Sequence, residues 1–559
     1  NALYEAHRYA QAAEIAGELL AVFPADAEMR YIRAAALTGC GLYDEARAEI
    51  ARIRAVRPDH AGAARQEIYI DRAEDKIRTQ IEHLRALIAM LTERIAAEEE
   101  SRAYCTVFLA SAYSLLGEAL TLTGESAEAV EAFLASSRLE TGRVQKAIEY
   151  SNALFAVNYL PTHLRGTYAG LARGYGALFA DVQALASAAD AARGHDRLRI
   201  GYISPDLRTH PVGTLMRPLL HLCDRSRFAV YCYMSGAEDV LSQEFRAAVD
   251  AWRNIQGMTA AEAAALVRSD EIDILVDLAG HTQDNCLPVL AYKPAPVQVT
   301  GIGYFNTTGL PAVDYMLSDV HVDPEGREDA AFTEEMIRLP HSHFCYTLPE
   351  DLSAVTPPPM ERSGYVTFGS FNNFSKVTDE VLCLWGQLLD AVPRSRLLLK
   401  SKLFMSEEGR ELAAERFTRC GIPVERVEMR GFSPNHLAEY GDMDIALDTF
   451  PWPGGGTTCD ALYMGVPVVS YYTERHSTRF TYSLLANIGL GDLASERMED
   501  YVETAVALAG NPELLDALHR ELRDRMKASP VMDQERYIRE MEGCYRAIWA
   551  QWEAHAEDV

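Results

Sequence analysis

The stretch DTFPWPGGGTTCDALYMGVPVVS, residues 448–470, decides the fold class of this chain. The apolar run Ile445–Leu447 precedes it, and a loop with two prolines and three consecutive glycines follows the first aspartate. A helix is predicted to begin at Thr457 and to end before Gly465, after which a buried strand resumes. A strand, a glycine-rich turn and a helix start together point backbone N–H groups and the positive helix end at a phosphate.

The glycine loop Gly454–Gly456 taken alone leaves two interpretations open. No Lys follows the glycines as in a Walker motif, and the loop is not G-x-G-x-x-G before a helix. An ordinary strand-to-helix turn and a phosphate-binding loop are about equally compatible with three glycines. The side chains that follow the neighbouring strands have to decide between them.

Strands alternate with helices on both sides of the linker predicted at Pro357–Pro359. The predicted strands are 197–204, 228–234, 272–278 and 297–302 before the linker, and 366–370, 396–400, 427–430 and 445–447 after it. This alternation is typical of parallel sheets covered by helices on both faces. We therefore expect an α/β protein with two Rossmann-like lobes and a cleft between them, where ligands lie beyond the carboxyl ends of the strands.

The first 150 residues repeat with a period of 34. The pairs Tyr9 and Tyr43, Ala12 and Ala46, and Pro24 and Pro58 each lie 34 residues apart, and a looser copy covers 124–140. This is the period of tetratricopeptide helices, so we expect an α-helical array. A structural cap and a docking surface for a partner or substrate remain equal alternatives for it.

Composition and charge exclude several classes of function. The chain has 559 residues, a net charge of −28 and a sequence pI near 5.0, which argues against a general nucleic-acid binder. Ten cysteines without a C-x-x-C pair predict reduced thiols and a cytoplasmic location rather than disulfides or a zinc site. No run of 18 apolar residues and no signal peptide is found, so no membrane span is expected. Because the chain begins at Asn inside a helical pattern, we expect it to be a fragment of a longer protein.

Lys376 and His436 follow strands at the same predicted sheet edge as the glycine loop. Lys376 comes shortly after the strand 366–370 and just before a helix opened by Thr378, where an ammonium group can meet a phosphate. His436 is predicted to open a helix after the strand 427–430, and alone it indicates only a cap or surface residue. Lys376 makes the phosphate-binding interpretation of the glycine loop the favoured one.

Two histidines are candidate proton acceptors in the first lobe. His210 follows the first predicted strand, and His281 follows the strand 272–278. Either could be a cleft base or a hydrogen-bonded loop residue, and His210 is preferred only modestly. Asp442 and Asp444 have D-x-D spacing, but they precede a strand and so lie at the wrong end of it for a ligand. No metal is expected, and Lys376 with backbone amides would have to stabilise a leaving diphosphate.

Four further stretches carry a family resemblance. Together with the opening stretch they resemble the catalytic region of the SPINDLY / O-GlcNAc transferase family over about residues 197–520: RIGYISPDLRTHPV, DILVDLAGHT, KPAPVQVTGIGYFNTTGLPAVDY and VTFGSFNNFSKVT. The resemblance implies a GT-B fold and a metal-independent, inverting glycosyltransferase. Such an enzyme moves a sugar from a nucleotide diphosphate sugar to Ser/Thr hydroxyls of proteins. The expected segments are helical repeats at 1–150, a helical linker at 151–195, the lobes at 196–356 and 357–520, and C-terminal helices at 521–559.

The resemblance also implies roles for individual residues. Lys376 resembles the diphosphate-binding lysine, with Asn373 in the polar position three residues before it, and His436 resembles a histidine at the nucleotide. His210 matches the residue proposed as base or sugar contact, with His281 as an additional cleft candidate. The implied phosphate and ribose contacts are Gly455, Gly456, Thr457, Thr458 and Asp460.

The sugar donor stays open at this point. O-GlcNAc transferases typically have His-Thr-Thr in the loop, whereas this chain has Gly-Thr-Thr with the threonine pair shifted by one. The loop is closer to plant SPINDLY, which resembles a GDP-fucose-dependent enzyme. We expect GlcNAc transfer from UDP-GlcNAc, with O-fucosylation from GDP-fucose, transfer of glucose to Asn or transfer to a small acceptor, and an inactive helical-repeat adaptor as alternatives. The expected partners are the nucleotide sugar and a protein acceptor docked partly by the repeats; nucleic acid is not expected, and a homodimer is an open alternative.

Overall fold

The structure is a computed structural model that describes residues 8–97, 102–168, 170–186, 194–326, 332–347 and 354–557. The chain forms two compact units, one of residues up to Ala153 with Lys402–Arg416, the other of Leu154–Ser401 with Phe417–Val559. Residues 1–7 and 98–101 of the predicted repeat block lie outside the described part.

The first unit is a helical array, as the 34-residue period predicts. Its helices are Tyr9–Val22, Ala27–Gly39, Tyr43–Val56, Ala61–Ala73, Ile77–Ala97, Arg102–Thr123, Ser126–Leu139 and the first part of Arg143–Val157. Small residues let neighbouring helices approach closely, and Ala34, Ala46 and Ala63 are fully buried in one core with Ile50 and Ile70. The predicted α-helical array is confirmed.

One segment from the later part of the chain belongs to this helical unit. Glu408 accepts hydrogen bonds from the backbone N–H of Arg78 at 2.8 Å and from the hydroxyl of Thr79 at 3.0 Å. Arg78 also pairs with Glu415 at 2.7 Å. The sequence pattern placed this segment within 357–520, whereas in the structure Lys402–Arg416 packs with the helices.

The helix Arg102–Thr123 is long and apolar enough to cross a membrane by length and composition alone. About half of it is packed inside the protein, with 56% of its most apolar window buried. A core helix of a globular protein passes the same test.

The first lobe of the second unit is a seven-stranded parallel sheet. Its strands are β1 (Leu198–Ser204), β2 (Phe228–Met234), β3 (Ala251–Asn254), β4 (Ile274–Asp277), β5 (Val297–Thr300), β6 (Tyr315–Asp319) and β7 (Glu335–Leu339). They lie in the order β3-β2-β1-β4-β5-β6-β7, with Ile200 in register with Val230 and Ile274. The main helices are Pro211–His221, Val240–Ala248 and Ala260–Ser269. β1, β2, β4 and β5 were predicted because they are rich in apolar residues, as parallel strands buried on both faces should be.

The second lobe is a six-stranded parallel sheet. Its strands are β8 (Thr367–Ser370), β9 (Arg396–Lys400), β10 (Val427–Arg430), β11 (Ile445–Leu447), β12 (Val468–Tyr471) and β13 (Ala494–Ser495), in the order β10-β9-β8-β11-β12-β13. The helices are Met360–Ser363, Asp379–Ala391, Gly456–Tyr463, Phe480–Asn487, Met498–Ala509 and Pro512–Lys527. A further helix, Glu407–Arg419, follows β9 in the chain, and its residues up to Arg416 belong to the helical unit. The predicted α/β class with two Rossmann-like sheets is confirmed.

The remaining elements lie before β1, within the first lobe and at the C-terminal end of the described chain. Before β1 lie a 3-10 helix at Thr162–Tyr168 and a short helix at Leu171–Ala177; Leu287–Leu290 is a further short helix in the first lobe. The last helix, Gln534–Glu557, packs Tyr537, Met541 and Tyr545 into the core of the first sheet. The two lobes are therefore held together by more than one chain crossing.

Candidate functional site

The glycine loop lies at the carboxyl end of β11, between that strand and the helix Gly456–Tyr463. A Cβ at Gly454 would lie 2.5 Å from Oγ1 of Thr458 and 2.7 Å from Oγ1 of Thr457, so only glycine fits there. A Cβ at Gly456 would meet nothing within 4 Å. The first turn of a helix leaves backbone N–H groups without partners in a preceding turn. The N–H groups of Gly456, Thr457 and Thr458 belong to this first turn, at the positive end of the helix.

Lys376 reaches this loop from the carboxyl end of β8. Its Nζ donates a 2.9 Å hydrogen bond to the carbonyl of Pro453, and it lies 6.0 Å from the ring centre of Trp452. Burial lowers the pKa of Lys376 to about 8, while the charge of Asp448 acts in the opposite direction. The ammonium group and the helix end thus lie at the two ends of the same loop, Pro453 to Gly456.

A buried asparagine connects the loop after β8 to the glycine loop. Oδ1 of Asn372 accepts a 2.7 Å hydrogen bond from Oγ1 of Thr457, and Nδ2 donates to Oδ1 of Asp448 at 3.2 Å. Its neighbour Asn373 is exposed, and its side chain instead accepts from the backbone N–H of Ser375 at 3.3 Å. Sequence reasoning selected Asn373 and missed Asn372; the asparagine that contacts the loop is the one that directly follows Phe371.

A pocket opens beside these groups at the carboxyl edge of the second sheet. Asn372, Asp448, Thr457 and Thr458 line it together with the rings of Phe371 and Tyr440. The two rings pack at 4.7 Å, and the hydroxyl of Tyr440 donates to the carbonyl of Thr457 at 3.2 Å. The pocket thus combines polar groups at its base with an aromatic wall, as ligand sites commonly do.

Asp460 and His436 lie next to each other at the same edge. Oδ2 of Asp460 is 3.8 Å from Nε2 of His436, whose side chain is 53% exposed. Asp460 also accepts a hydrogen bond from the hydroxyl of Tyr346, a residue of the first lobe that sequence reasoning did not select. Burial raises the pKa of Tyr346, so this phenol is a donor and holds the carboxylate in place.

The helix predicted to begin at His436 is not formed. His436 lies in a turn, and only a 3-10 segment, Ala438–Asp442, follows. Gly441 and the following strand leave too few residues for a helix, because α-helical turns need consecutive i to i+4 hydrogen bonds. His436 is placed by this turn, with its imidazole open to solvent.

His210 is the N-cap of the helix Pro211–His221, at the carboxyl end of β1. Its Nδ1 accepts a 3.3 Å hydrogen bond from the backbone N–H of Val212 and lies 3.8 Å from Oδ2 of Asp206. Burial lowers the pKa of His210, so the neutral ring is the relevant form near neutral pH. A neutral ring that accepts at Nδ1 carries its proton on Nε2, which makes the 40% exposed side chain a hydrogen-bond donor.

His281 is not a cleft residue, so the prediction that it is an additional candidate residue of the cleft is wrong. The side chain is 1% exposed, and Nε2 donates to the carbonyl of Thr308 at 2.8 Å. The ring packs edge-on against Tyr175 and Tyr304 at 4.7 and 5.4 Å. Burial lowers its pKa to about 4. These contacts give His281 a structural role in the first lobe.

Asp444 also has a structural role, as its place before β11 predicts. Its carboxylate accepts from the backbone N–H groups of Met360 and Thr367 at 2.9 and 2.7 Å, and Asp442 pairs with Arg430 at 2.7 Å. Over the described ranges, no group of three or more His, Cys, Asp or Glu side chains is arranged to hold a metal ion.

The glycine loop faces the first lobe. Trp452 packs against Tyr304, with ring centres 6.3 Å apart, and against Phe305 at 5.8 Å. Phe344, also from the first-lobe side, lies 4.0 Å from where a Cβ of Gly455 would be. The glycine loop therefore lies on the side of the second lobe that faces the first lobe.

Comparisons with known proteins agree with this geometry. Residues 180–349 and 361–541 match the family Glycosyl transferase family 41, and residues 3–67 match a tetratricopeptide repeat. A Thermobaculum terrenum O-GlcNAc transferase mutant has a solved structure with a TM-score of 0.79 and 31% identity, covering 98% of this chain and 99% of that one.

Curated relatives are longer than this chain. A probable UDP-N-acetylglucosamine–peptide N-acetylglucosaminyltransferase SPINDLY from Solanum lycopersicum is 37% identical over 72% of this chain and 44% of its own length. The SPINDLY protein of Arabidopsis thaliana is 38% identical over 72% of this chain and 45% of its own length. The chain thus spans less than half of these relatives. The match over both lobes and the likeness of the whole fold show that the chain belongs to glycosyl transferase family 41.

Proposed function

We propose that this chain is a metal-independent, inverting protein O-glycosyltransferase that moves GlcNAc from UDP-GlcNAc to Ser or Thr hydroxyls. The observation that carries the proposal is the meeting of Lys376 with the helix end at Gly456 on one loop at the cleft. These are the two kinds of group that stabilise a leaving diphosphate when no metal does so. The relatives' names supply the sugar and the peptide acceptor.

Each group around the pocket contacts a different part of the nucleotide sugar. The β-phosphate lies between Nζ of Lys376 and the N–H groups of Gly455, Gly456 and Thr457. Asp460, held by Tyr346, accepts from the ribose hydroxyls, and the exposed ring of His436 lies beside the nucleotide. The resemblance to the family implies these contacts, and the charge and donor character of each group at the edge of the second sheet support them.

The chemical step follows from this placement. The acceptor hydroxyl attacks the anomeric carbon from the side opposite the diphosphate, the bond from that carbon to the β-phosphate oxygen breaks with its electron pair passing to the diphosphate, and the hydroxyl proton passes to solvent water. Negative charge then concentrates on the diphosphate, where Lys376 and the helix end stabilise it more strongly than in the ground state. His210, with its proton on Nε2, donates to the sugar or the acceptor from the first lobe.

A panel of nucleotide sugars tests the proposal. The protein is incubated with UDP-GlcNAc, UDP-glucose and GDP-fucose together with a peptide library that contains Ser, Thr and Asn, and products are located by mass spectrometry. We expect a mass increase of one GlcNAc on Ser or Thr, and a higher melting temperature with UDP than with GDP. Absence of both nucleotide binding and transfer would leave only the inactive adaptor.

A second donor is supported by one observation in the sequence. The glycine loop lacks the histidine typical of O-GlcNAc transferases and is closer to that of plant SPINDLY. Transfer of fucose from GDP-fucose, with a greater thermal shift by GDP than by UDP, would select this alternative. Transfer to Asn would replace the Ser/Thr assignment without changing the donor site.

The helical array is the part of the chain that we assign to docking of the acceptor. We propose that a protein acceptor binds partly to the repeats and that the enzyme acts in the cytoplasm. The tetratricopeptide match at 3–67 and the reduced cysteines support these two assignments.

A further inference from the structure

We propose that Asp448 is a positioning residue for transfer: its buried carboxylate fixes the glycine loop and keeps Lys376 in its ammonium form. This inference rests on the proposed function and extends it to a buried residue that acts on the glycine loop and on Lys376. Asp448 is 2% exposed and lies at the carboxyl end of β11, beneath the loop. It therefore acts through its neighbours.

The carboxylate is surrounded by donors. Oδ1 accepts from the backbone N–H of Thr449 at 2.9 Å, from that of Gly454 at 2.7 Å and from Nδ2 of Asn372 at 3.2 Å. Oδ2 accepts from Oγ of Ser470 at 2.7 Å. A protonated acid would place its own hydrogen among these donors, so the arrangement favours the anion.

The hydrogen bond to Gly454 sets the geometry of the phosphate site. Gly454 lies between Pro453, whose carbonyl accepts from Lys376, and Gly455, which leads into the helix. The carbonyl of Gly454 is held as well, by the hydroxyl of Thr481 at 3.1 Å. Asp448 thus fixes the residue that separates the ammonium group from the helix end.

The main chain of Asp448 is anchored in the core of the second lobe. Its carbonyl accepts from the hydroxyl of Tyr501 at 3.1 Å, and that hydroxyl in turn accepts from Nε1 of Trp385 at 2.9 Å. Tyr501 and Trp385 are both fully buried. These hydrogen bonds therefore attach the start of the loop to the buried core of the second lobe, as a preorganised site requires.

Asp448 also supplies negative charge close to Lys376. Burial lowers the pKa of Lys376 to about 8, and the Asp448 carboxylate opposes that effect. Burial raises the pKa of Asp448, and the positive charge of Lys376 acts in the opposite direction. Without this carboxylate a larger share of Lys376 would be neutral near pH 8 and could not stabilise a diphosphate.

The test compares Asp448→Asn with Ser470→Ala. Asp448→Asn removes the charge, whereas Ser470→Ala removes one hydrogen bond to the same carboxylate and keeps the charge. Turnover of the nucleotide sugar is measured from pH 6 to 10. In Asp448→Asn we expect the alkaline fall in turnover to move down by about one pH unit, since an opposite charge of this kind shifts a pKa by one unit or more. In Ser470→Ala the fall should stay where it is in the parent protein.

A third variant isolates the effect on the loop. Asp448→Glu keeps the charge and displaces it by one methylene, so the affinity for UDP or GDP, measured by calorimetry, should fall about tenfold with an unchanged alkaline limb. This variant remains informative if melting curves show that Asp448→Asn is unfolded.

The outcomes separate the inference from the function on which it rests. A parent protein that neither binds UDP or GDP nor turns over any nucleotide sugar overturns the proposed function. An active parent with a folded Asp448→Asn variant of unchanged pH profile, or an Asp448→Glu variant that binds like the parent, overturns the positioning role.

Discussion

The hydroxyl of Thr457 donates a 2.7 Å hydrogen bond to Oδ1 of Asn372, and this contact joins the loops that follow β8 and β11. Asn372 is 8% exposed and makes its second contact with Asp448. A buried amide that bridges two loops fixes their separation, because leaving either partner unsatisfied costs about 1–3 kcal/mol. The site is therefore built as one hydrogen-bonded group around the glycine loop.

Asn372→Ala should lower both the melting temperature and the affinity for a nucleoside diphosphate. The loss leaves Oγ1 of Thr457 without its acceptor and Asp448 without one donor, which predicts about 1–3 kcal/mol of destabilisation. Asn373→Ala is the matched control, because within the described ranges the hydrogen bonds of that exposed side chain go to Ser375 of its own loop. Thermal melts and calorimetry with UDP and GDP measure both effects. Equal losses in the two variants would contradict the assignment of Asn372.

The contrast between these two asparagines shows what the sequence could predict. Strand, glycine turn and helix start were recognisable from local residue types, because backbone geometry depends on Gly, Pro and apolar runs. Which of two adjacent asparagines points inward is set by packing of an irregular loop, and no periodicity applies there. Lys376 was identified because it follows a predicted strand at the same sheet edge as the glycine loop and because its charge suits a phosphate.

The missed strands have a similar physical cause. β3 is four residues long with no buried residue, and β7 reads EMIRL with charged residues at two of five positions. Short strands with mixed polarity give no buried run to recognise, although β6 and β7 complete the sheet by pairing with neighbours. In the same way, no sequence pattern could show that His281 is enclosed by Tyr175 and Tyr304, since these contacts join distant segments.

His210→Asn should lower turnover by about 10²-fold while donor binding changes little. Asparagine can still cap the helix at Val212 but has no counterpart of Nε2. Asp206→Asn is the informative companion, because Asp206 would hold a proton on Nδ1 only if His210 worked as a base. With Nδ1 accepting from Val212, we expect Asp206→Asn to stay within about threefold of the parent. A loss equal to that of His210→Asn would instead assign His210 as general base.

Shortening the helical array should impair protein acceptors more than donor hydrolysis. A variant that lacks residues 1–60 keeps the helix Ile77–Ala97 and the contacts of Arg78 and Thr79 with Glu408. Removing residues 1–150 also takes away the partners of Glu408 and Glu415, so that longer deletion would lower the stability of the protein as well as its activity. The ratio of transfer to hydrolysis, measured on folded protein, should fall in the shorter deletion. Unchanged transfer to a protein acceptor would restrict the repeats to a structural role.

Transfer should persist in EDTA. The groups proposed to meet the diphosphate, Lys376 and the N–H groups at Gly456, are fixed parts of the protein and do not depend on a bound ion. Turnover is measured with EDTA alone and with added Mn²⁺ or Mg²⁺. Activity that disappears in EDTA and returns with Mn²⁺ would overturn the metal-independent mechanism.

Lys376→Ala should reduce turnover by about 10²–10³-fold, since a charged donor aimed at a developing anion is worth about 3–4 kcal/mol. The melting temperature should change little, because the ammonium group makes a single protein hydrogen bond among the described residues, to Pro453. Lys376→Arg should restore little activity, as a planar guanidinium does not replace a compact charge in the same space.

The Lys376→Arg variant also serves as the control for the protonation state of the lysine. Burial lowers the pKa of Lys376 to about 8, so the ammonium form is present below that pH and is lost above it. The parent should therefore lose donor binding as the pH rises from 8 to 10, whereas the weak binding of the Arg variant should not depend on pH in that range. A Lys376→Ala protein that keeps most of its turnover would place the diphosphate away from the glycine loop.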